Sequence, residues 1–262
     1  MISTEMIAIT GASSGIGAAT AEKFASEGYG LILIARDLNK LHTVSHNIKA
    51  KYPDISTVVY SVDLTSEKSL REMYESLKKF HIKCWINNAG FGDYKLISDQ
   101  DIEKANAMIS LNVTAMTLLS MLYVKDYENV SGSQLINVSS AGGYLMVPTC
   151  VTYCATKFFV SAFTENLALE LKHKQSALKA KVFAPAATQT NFGKVANDVT
   201  EYDYDHAFGE SYFTSEQSAD FLLQLFHSDD HFVGGINRQS FEFELSDNHF
   251  DFAGSSDRNQ SL

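Results

Sequence analysis

Cysteine, proline and long apolar runs are all scarce in this sequence of 262 residues. Its three cysteines, Cys84, Cys150 and Cys154, lack the paired spacing of a disulfide framework, and no histidine set completes a metal site around them. No apolar run approaches the roughly 20 residues of a membrane span. The N-terminus enters an apolar strand without a basic leader and cleavage site. We therefore expect a cytoplasmic protein with reduced thiols, no metal and no membrane partner.

Basic residues are rare beyond Lys194. Only Arg238 and Arg258 stand there against fourteen acidic residues, so that this part carries a charge of about −12. The chain up to Lys194 is slightly positive, at about +2. Because phosphate recognition needs clustered lysine and arginine, this balance argues against nucleic acid as a partner.

Short apolar, β-branched runs alternate with amphipathic stretches. Strands buried on both faces are predicted at residues 7–10, 31–35, 57–62, 84–87, 134–138 and 181–184. Helices are predicted between them at residues 15–27, 38–51, 67–80, 101–127 and 151–173. Strands that alternate with helices of this length predict right-handed crossovers and a doubly wound parallel sheet flanked by helices, in a single α/β domain.

The pattern loosens after Ala184. Residues 188–213 are polar, acidic and aromatic, and they predict a long loop or a helical lid. A further helix is predicted at residues 214–227 and a final strand at residues 240–245. The predicted domain covers residues 1–245. The tail, residues 246–262, has no periodicity and is expected either to be disordered or to contact a partner subunit.

A glycine-rich turn follows the first predicted strand and opens the first helix. Gly11, Gly15 and Gly17 let the backbone turn sharply and approach a pyrophosphate closely, and the helix N-terminus offers unpaired N–H donors to the anion. The alternative is an ordinary turn between a strand and a helix. Three glycines at this spacing, in the first such turn, favour a dinucleotide site.

The second predicted strand lacks the carboxylate that usually ends it in NAD sites, where it accepts hydrogen bonds from the ribose. It ends instead in Ala35 and Arg36. A guanidinium can bind a 2′-phosphate with two hydrogen bonds, so that NADP(H) is favoured over NAD(H). The alternative is a surface arginine that pairs with Asp37.

Together with the glycine turn, three further motifs follow in order: Asp63-Leu64, Asn87-Asn88-Ala89-Gly90, and a Tyr-x-x-x-Lys motif at Tyr153 and Lys157. From about Ile7 to Thr190 the chain resembles the short-chain dehydrogenase/reductases. The resemblance implies a Rossmann-type fold. It also implies an NADP(H)-dependent oxidoreductase that reduces a ketone or aldehyde to an alcohol, or runs the reverse reaction.

The resemblance also implies catalytic roles for four residues. Tyr153 would be the general acid or base, and Lys157, on the same helical face, would favour its phenolate and hold the nicotinamide ribose. Ser140, thirteen residues before Tyr153, would hydrogen-bond the substrate oxygen, and Asn112 would hold a water that links Lys157 to solvent. Singly, these could be a packed aromatic, a snorkelling lysine, a turn serine and an amide that bonds nearby backbone. As a set at this spacing, they favour an active site.

The implied cofactor contacts lie at the ends of successive strands. Asp63 and Leu64 would flank the adenine, and Thr190 would reach the nicotinamide carboxamide. For Asn88, an amide that ties two strands together is an alternative or an additional role. Ala186 stands where the family usually has glycine, which leaves the position of that loop open. The full implied set is Gly11, Ser13, Ser14, Gly15, Ile16, Gly17, Arg36, Asp63, Leu64, Asn88, Ala89, Gly90, Tyr153, Lys157, Pro185, Thr188 and Thr190.

The resemblance places the substrate between residues 141–149 and 188–213. These segments supply Tyr144, Leu145, Met146, Val147, Phe192, Tyr202, Tyr204 and Phe208, with Asp93 and Tyr94 as a third wall. Such a lining suits an apolar or aromatic carbonyl compound, although ordinary loop packing is the alternative for each residue.

Acidic residues in the second of these segments also bear on the substrate. Asp198, Glu201, Asp203, Asp205 and Glu210 would disfavour a strongly anionic substrate such as an acyl-coenzyme A, unless they form a merely solvated face.

Two further expectations concern partners and turnover. The resemblance implies a homodimer or homotetramer, because relatives commonly assemble through the helices equivalent to residues 101–127 and 151–173. The apolar residues of these helices fit such an interface and equally fit packing on the sheet. A regulatory protein that binds NADP(H) with little turnover is the alternative function. The complete set of Asn112, Ser140, Tyr153 and Lys157 favours the enzyme.

Overall fold

One sheet of eight strands forms the centre of the fold. The structure, a computed structural model, describes residues 5–252. The strand order is β3-β2-β1-β4-β5-β6-β7-β8, with only the last pair antiparallel in this part of the chain. The strands are β1 (Glu5–Thr10), β2 (Gly30–Ala35), β3 (Thr57–Ser61), β4 (His81–Asn87), β5 (Gln134–Val138), β6 (Lys179–Ala184), β7 (Val233–Ile236) and β8 (Phe243–Ser246).

Helices cover both faces of this sheet. Side chains alternate along each strand, so that Ile7 and Ile9 of β1 enter one core while Met6 and Ala8 enter the other. The first core packs against α1, α2 and α9, and the second against α3, α5 and α6. The helices are α1 (Gly15–Ser26), α2 (Leu38–Lys51), α3 (Glu67–Leu77), α4 (Ile102–Ile109), α5 (Met116–Tyr127), α6 (Val151–His173), α7 (Phe192–Asn197), α8 (Tyr204–Phe208) and α9 (Ser215–His227).

The predicted fold, a Rossmann-type parallel sheet flanked by helices in a single domain, is confirmed. Three details of the strand predictions were wrong. The third strand is half-buried rather than buried on both faces, because it lies at the edge of the sheet. The last strand spans Phe243–Ser246 and pairs with β7, which the sequence did not predict. Two glycines in β7 conceal the β-branched pattern that a strand normally shows.

The helical stretch from Ile102 to Tyr127 bears on the expectation that no segment has membrane-spanning length. It has 26 residues, and its most apolar part reaches a mean hydropathy of 1.6, so by length and composition alone that expectation was wrong. Here the stretch packs on the sheet, where Leu119 and Tyr123 are buried in the core. In the middle of it, Ser110–Ala115 forms a π-helical turn.

The first part of the tail contacts the domain. Glu165 of α6 is buried, and its carboxylate accepts hydrogen bonds from the backbone N–H groups of His249 (2.8 Å) and Phe250 (3.1 Å). The Phe250 ring lies 5.4 Å from that of Tyr144. Up to Phe250 the tail therefore packs against its own chain, and the tail prediction beyond Phe252 lies outside the described residues.

A buried lysine connects β6 to the end of α9. Lys181 is 1% exposed, and its ammonium donates hydrogen bonds to the carbonyls of Leu225 (2.8 Å), Phe226 (2.9 Å) and Ser228 (2.6 Å). These carbonyls lie at the end of the helix, where the Leu225 carbonyl also accepts from the Ser228 N–H at 3.2 Å, so the lysine acts on them as a C-terminal cap would.

We expect Lys181→Met to lower the free energy of unfolding by about 2 kcal/mol at pH 7, since it removes the buried donor that these three carbonyls share. Chemical denaturation checks this value, and the melting temperature should fall by about 4–8 °C. Lys179→Met is the matched control on the same strand, because Lys179 pairs with Asp229 at the surface and should contribute under about 1 kcal/mol. Equal stability of the two variants would contradict the capping role.

The stability difference should also depend on pH. Burial lowers the pKa of Lys181 to about 8, below its ordinary value of 10.5. Between these values the unfolded chain binds more protons, so that wild-type stability gains from rising pH. Lys181→Met lacks this contribution, and its deficit relative to the wild type should therefore widen between about pH 8 and 10.

Candidate active site

The predicted catalytic residues meet at the carboxyl edge of the parallel sheet. Ser140 comes two residues after the end of β5, and Tyr153 and Lys157 lie in the first two turns of the adjacent α6. Asn112 reaches the same place from the π-helical turn that precedes α5. Because the carboxyl ends of parallel strands share one edge, the fold brings together residues that are far apart in the sequence.

Tyr153 is enclosed by aromatic rings. It is 7% exposed, and its ring centroid lies 5.4 Å from that of Phe192 and 6.0 Å from that of Tyr94. Burial raises the pKa of the Tyr153 phenol above its usual value, while a hydrogen bond with the Ser140 side chain acts in the opposite direction. At neutral pH the phenol therefore carries its proton and can act as an acid.

Lys157 lies beneath this phenol. Its ammonium is buried, donates a hydrogen bond to the Val138 carbonyl (2.9 Å), and lies 6.0 Å from the centroid of the Tyr153 ring. Burial lowers the pKa of Lys157 to about 8. A lysine with a pKa this close to neutrality can exchange protons with its surroundings during a reaction.

The Asn112 side chain bonds to the backbone of another segment, as expected if its role is structural. Its amide oxygen accepts from the Phe91 N–H (3.1 Å), and its amide nitrogen donates to the Phe91 carbonyl (2.9 Å) and to Thr156 Oγ1 (3.1 Å). These bonds fix the chain that follows β4 against α6. The water relay through Asn112 stays a prediction.

Ser140 begins the short 3₁₀ turn Ala141–Gly143, and its hydroxyl accepts a hydrogen bond from the Gly142 N–H (3.1 Å). Ser140 therefore does what the alternative interpretation expects of a serine in a turn, and it also contacts Tyr153. Ser139, which the sequence analysis did not select, donates to the Lys157 carbonyl (3.0 Å) and shares a 2.7 Å hydrogen bond with Ser161. The Ser139-Ser140 pair thus connects the end of β5 to the helix that carries Tyr153.

A buried polar chain fixes α6 against the sheet. Trp85 Nε1 donates to Asn87 Oδ1 (2.8 Å), the Asn87 amide donates to Asn137 Oδ1 (2.9 Å), and the Asn137 amide donates to Thr164 Oγ1 (2.9 Å). Such fully paired networks in a core are rigid. Asn137 and Thr164 were missed because nothing in their local sequence distinguishes them from other polar residues.

The glycine turn has the close packing that a dinucleotide site requires. Gly11 has φ +68°, and a β-carbon there would come within 2.8 Å of Asn88 Nδ2. At Gly17 it would come within 2.4 Å of the Gly11 carbonyl oxygen. Asn88 Nδ2 donates to the carbonyls of Thr10 (2.9 Å) and Gly11 (3.3 Å), so the amide that ties β1 to β4 also shapes the turn.

The N-terminus of α1 is open to an anion. Ser14 stands at its N-cap position but makes no side-chain capping bond, whereas Asp37 and Ser66 cap α2 and α3. With Ser13, Gly15 and Ile16, this end of α1 fits a pyrophosphate held by backbone N–H groups. The residues present thus fit a dinucleotide cofactor.

Arg36 and Asp63 lie side by side beyond the ends of β2 and β3. Hydrogen bonds from Thr65 lower the pKa of the Asp63 carboxyl, and the positive charge of Arg36 lowers it further. The Arg36 side chain is exposed. Asp37, the expected alternative partner of Arg36, instead caps α2 and pairs with Lys40 at 3.6 Å. Leu64, next to Asp63, is buried.

The loop after β6 lies against the glycine turn. The Pro185 carbonyl accepts a hydrogen bond from the Ala141 N–H (2.8 Å), and Thr188 shares one with Ser218 (2.9 Å). The Thr190 side chain packs against Gly15. Ala186 is not among the non-glycine residues with positive φ in the described chain, so the backbone there accepts alanine without strain.

The predicted substrate walls divide into two groups. Tyr94 and Phe192 surround Tyr153. Tyr202 contacts Tyr204 and packs over Gly193 instead, inside the lid formed by residues 188–213. The remaining predicted wall residues are exposed or have other partners. Leu145, Met146 and Val147 are exposed, Tyr144 bonds Glu165, Tyr204 and Phe208 stack on each other, and Asp93 pairs with Lys104.

The comparisons with known proteins agree with this geometry. A family model described as short chain dehydrogenase matches residues 5–200. Dehydrogenase/reductase SDR family member 11 of Gallus gallus is 30% identical over 197 residues, which cover 72% of this chain and 77% of that protein. The very-long-chain 3-oxoacyl-CoA reductase of Mus musculus is 34% identical over 175 residues, 65% of this chain and 55% of that protein.

A solved structure shares both sequence and fold with this chain. It is a short-chain dehydrogenase from Sphingobium yanoikuyae in complex with NADPH, with a TM-score of 0.74 and 29% identity, covering 85% of this chain and 84% of the other. The resemblance drawn from the motifs is thereby confirmed. This chain belongs to the short-chain dehydrogenase/reductase family of NAD(P)H-dependent oxidoreductases that act on carbonyl and alcohol groups.

Proposed function

We propose that this protein is an NADP(H)-dependent reductase of an apolar ketone or aldehyde, with Tyr153 as its general acid. The observation that carries the proposal is the convergence of Tyr153, Ser140 and Lys157 at one point of the carboxyl edge. Burial raises the pKa of Tyr153, so that the phenol holds the proton that a carbonyl oxygen needs as it becomes an alcohol.

When bound, the nicotinamide supplies the hydride. The Tyr153 phenol then gives its proton to the substrate oxygen, and the Ser140 hydroxyl donates a hydrogen bond that stabilises charge on that oxygen. Lys157, below the phenol, favours the phenolate that remains and helps to restore its proton. In alcohol oxidation each of these residues plays the reverse part.

Arg36 supports the preference for NADP(H). Its guanidinium is exposed beyond the end of β2, and Asp37 is engaged with α2 rather than with it. Ala35, where NAD sites carry a carboxylate, offers no acceptor for the ribose hydroxyls. The NADPH in the related enzyme from Sphingobium yanoikuyae agrees with this preference.

The walls around Tyr153 favour an apolar or aromatic substrate, because Tyr94 and Phe192 are both carbon-rich surfaces. Fewer acidic residues argue against a strongly anionic substrate than the sequence suggested. Asp198 is neutralised by two lysines, so the argument depends on Glu201, Asp203, Asp205 and Glu210.

The test is a titration of the protein with NADPH and NADH, followed by turnover with a panel of ketones, aldehydes and quinones. Tight NADPH binding and oxidation by at least one neutral carbonyl compound are expected. Tight binding without oxidation by any of them would contradict the enzyme and support the regulatory alternative. Efficient reduction of an acyl-coenzyme A would contradict the proposed substrate class.

A further inference from the structure

The lid segment is closed over the predicted general acid. Phe192, the first residue of α7, covers the Tyr153 ring, and the chain passes so close that a β-carbon on Gly92 would come within 2.7 Å of Phe192. The backbone N–H of Tyr94 also donates to the Ala196 carbonyl (2.7 Å). The position of α7 therefore sets the position of Phe192, which forms one wall around Tyr153.

One ammonium group joins three parts of the chain at the far end of α7. Lys104 Nζ, in the first turn of α4, lies 3.0 Å from Asp93 Oδ1 and 2.7 Å from Asp198 Oδ1. It also donates to the Val195 carbonyl at 3.1 Å. Asp93 follows β4, whereas Val195 and Asp198 belong to the lid. This lysine therefore bridges the body of the domain and the lid.

The carboxylate that contacts Lys104 from the body of the domain, Asp93, is fully buried, which is rare for an aspartate. Asp93 is 0% exposed, and its Oδ2 has no hydrogen-bond partner among residues 5–252. Burying a carboxylate is costly unless a cation compensates it, and in the described chain Lys104 is the cation that contacts Asp93. The buried carboxylate thus holds the lysine in one position, with its remaining hydrogens directed at the lid.

The lid side is shaped to meet this lysine. Asp198 ends α7 in a left-handed conformation (φ +54°), in which its N–H bonds back to the Lys194 carbonyl. The turn directs its carboxylate to Lys104 and also to Lys95, at 2.5 Å. Left-handed backbone is unfavourable for most residues other than glycine, although aspartate tolerates it.

We propose that Lys104, fixed by buried Asp93, is a positioning residue that latches α7 through Asp198 and Val195 and so holds Phe192 against Tyr153. The latch sets the shape of the substrate pocket and how readily it opens. The part of this inference that concerns substrate depends on the proposed function. The lid contact itself depends only on the ion pairs.

The first test measures hydrogen–deuterium exchange in the peptide that covers residues 194–200. Lys104→Met and Asp198→Asn should each make this peptide exchange at least about tenfold faster, because both release the end of α7. In the double variant the two effects should add up to less than their sum, since both changes break the Lys104–Asp198 contact. Asp198→Asn preserves the Asp93–Lys104 pair, so it tests the lid even if Lys104→Met folds poorly.

Lys78→Met is the matched control. Lys78 also bridges two carboxylates, Glu75 at 2.8 Å and Asp126 at 3.8 Å, but it lies just before β4, at the opposite edge of the sheet. Its loss should leave exchange in residues 194–200 unchanged. Exchange in Lys104→Met and Asp198→Asn that equals that of Lys78→Met would overturn the latch.

The second test is the split between KM and kcat. In Asp198→Asn the KM for a carbonyl substrate should rise more than kcat falls, and Lys104→Arg should retain most of the wild-type KM because it keeps the charge. A loss of kcat with an unchanged KM would contradict a role in pocket shape. Exchange needs neither cofactor nor substrate. Faster exchange in a chain that never oxidises NADPH would therefore support the latch and contradict the proposed function.

Discussion

Tyr153→Phe is expected to lower kcat for carbonyl reduction by about 1,000-fold, since it removes the proton donor and leaves the ring in place. The ring contacts with Phe192 and Tyr94 do not involve the hydroxyl, so the fold and the affinity for NADPH should change little. Steady-state kinetics with saturating NADPH, together with a direct binding titration, checks both parts.

Tyr60→Phe is the control for the loss of a phenol elsewhere in the chain. Tyr60 lies in edge strand β3, far from Ser140 and Lys157, and its substitution should leave kcat at the wild-type value. Turnover by Tyr153→Phe at the rate of Tyr60→Phe would contradict the assignment of the general acid. Loss of NADPH binding in Tyr153→Phe would instead indicate that the phenol is needed mainly to hold the cofactor.

Arg36→Leu is expected to weaken NADPH binding by about 30-fold, which corresponds to the loss of about 2 kcal/mol of charge-assisted hydrogen bonding. NADH lacks the 2′-phosphate, so its affinity should stay within about twofold of the wild type. The ratio of the two dissociation constants is the quantity to measure. Ala35→Asp should move this ratio further toward NADH, because it supplies a ribose acceptor and repels the phosphate.

Arg71→Leu is the matched control for Arg36→Leu. Arg71 is also an exposed arginine, paired with Glu67 on α3, and its loss should affect neither nucleotide. An equal loss of NADPH and NADH affinity in Arg36→Leu would contradict recognition of the 2′-phosphate. In that case Arg36 would attract both nucleotides equally through its positive charge, without binding the 2′-phosphate.

The apolar pattern of the sequence predicted the sheet, whereas the catalytic set was implied by the family resemblance. Runs such as the one that became β2 are apolar throughout because both faces are buried, and each is followed by a polar residue at the carboxyl edge. Arg36, Asn88 and Ser140, which follow three of these strands, could therefore be assigned to the same edge of the sheet from the sequence. The glycine turn could be predicted from the sequence because the close packing at Gly11 and Gly17 leaves no room for a side chain.

Other features depend on contacts between distant residues and could not be predicted. The latch joins Lys104 to Asp93 and Asp198, which are 11 and 94 residues away along the chain. Each of these residues alone is typical of a solvated surface. The π-helical turn at Asn112 likewise has no sequence signal of its own, although such turns often occur at functional sites.

Assembly and location stay predictions. The faces of α5 and α6 leave Met121 and Phe159 exposed at 58% and 41%, which agrees with the homodimer or homotetramer proposed from the sequence. Sedimentation of the purified chain tests that proposal. The cytoplasmic location, the limits of the domain at residue 245 and the fate of the chain beyond Phe252 are proposals of the same standing.

The central claim is that the protein moves a hydride from NADPH to a carbonyl carbon while Tyr153 protonates the oxygen. Its most direct test is a single turnover with NADPH that carries deuterium at nicotinamide C4 and the best carbonyl compound from the panel, with mass spectrometry of the product. The account predicts deuterium on the carbinol carbon in the wild type and in Tyr60→Phe, and almost none in Tyr153→Phe over the same time. Equal labelling in Tyr153→Phe, or tight NADPH binding with no labelled alcohol in the wild type, would contradict it.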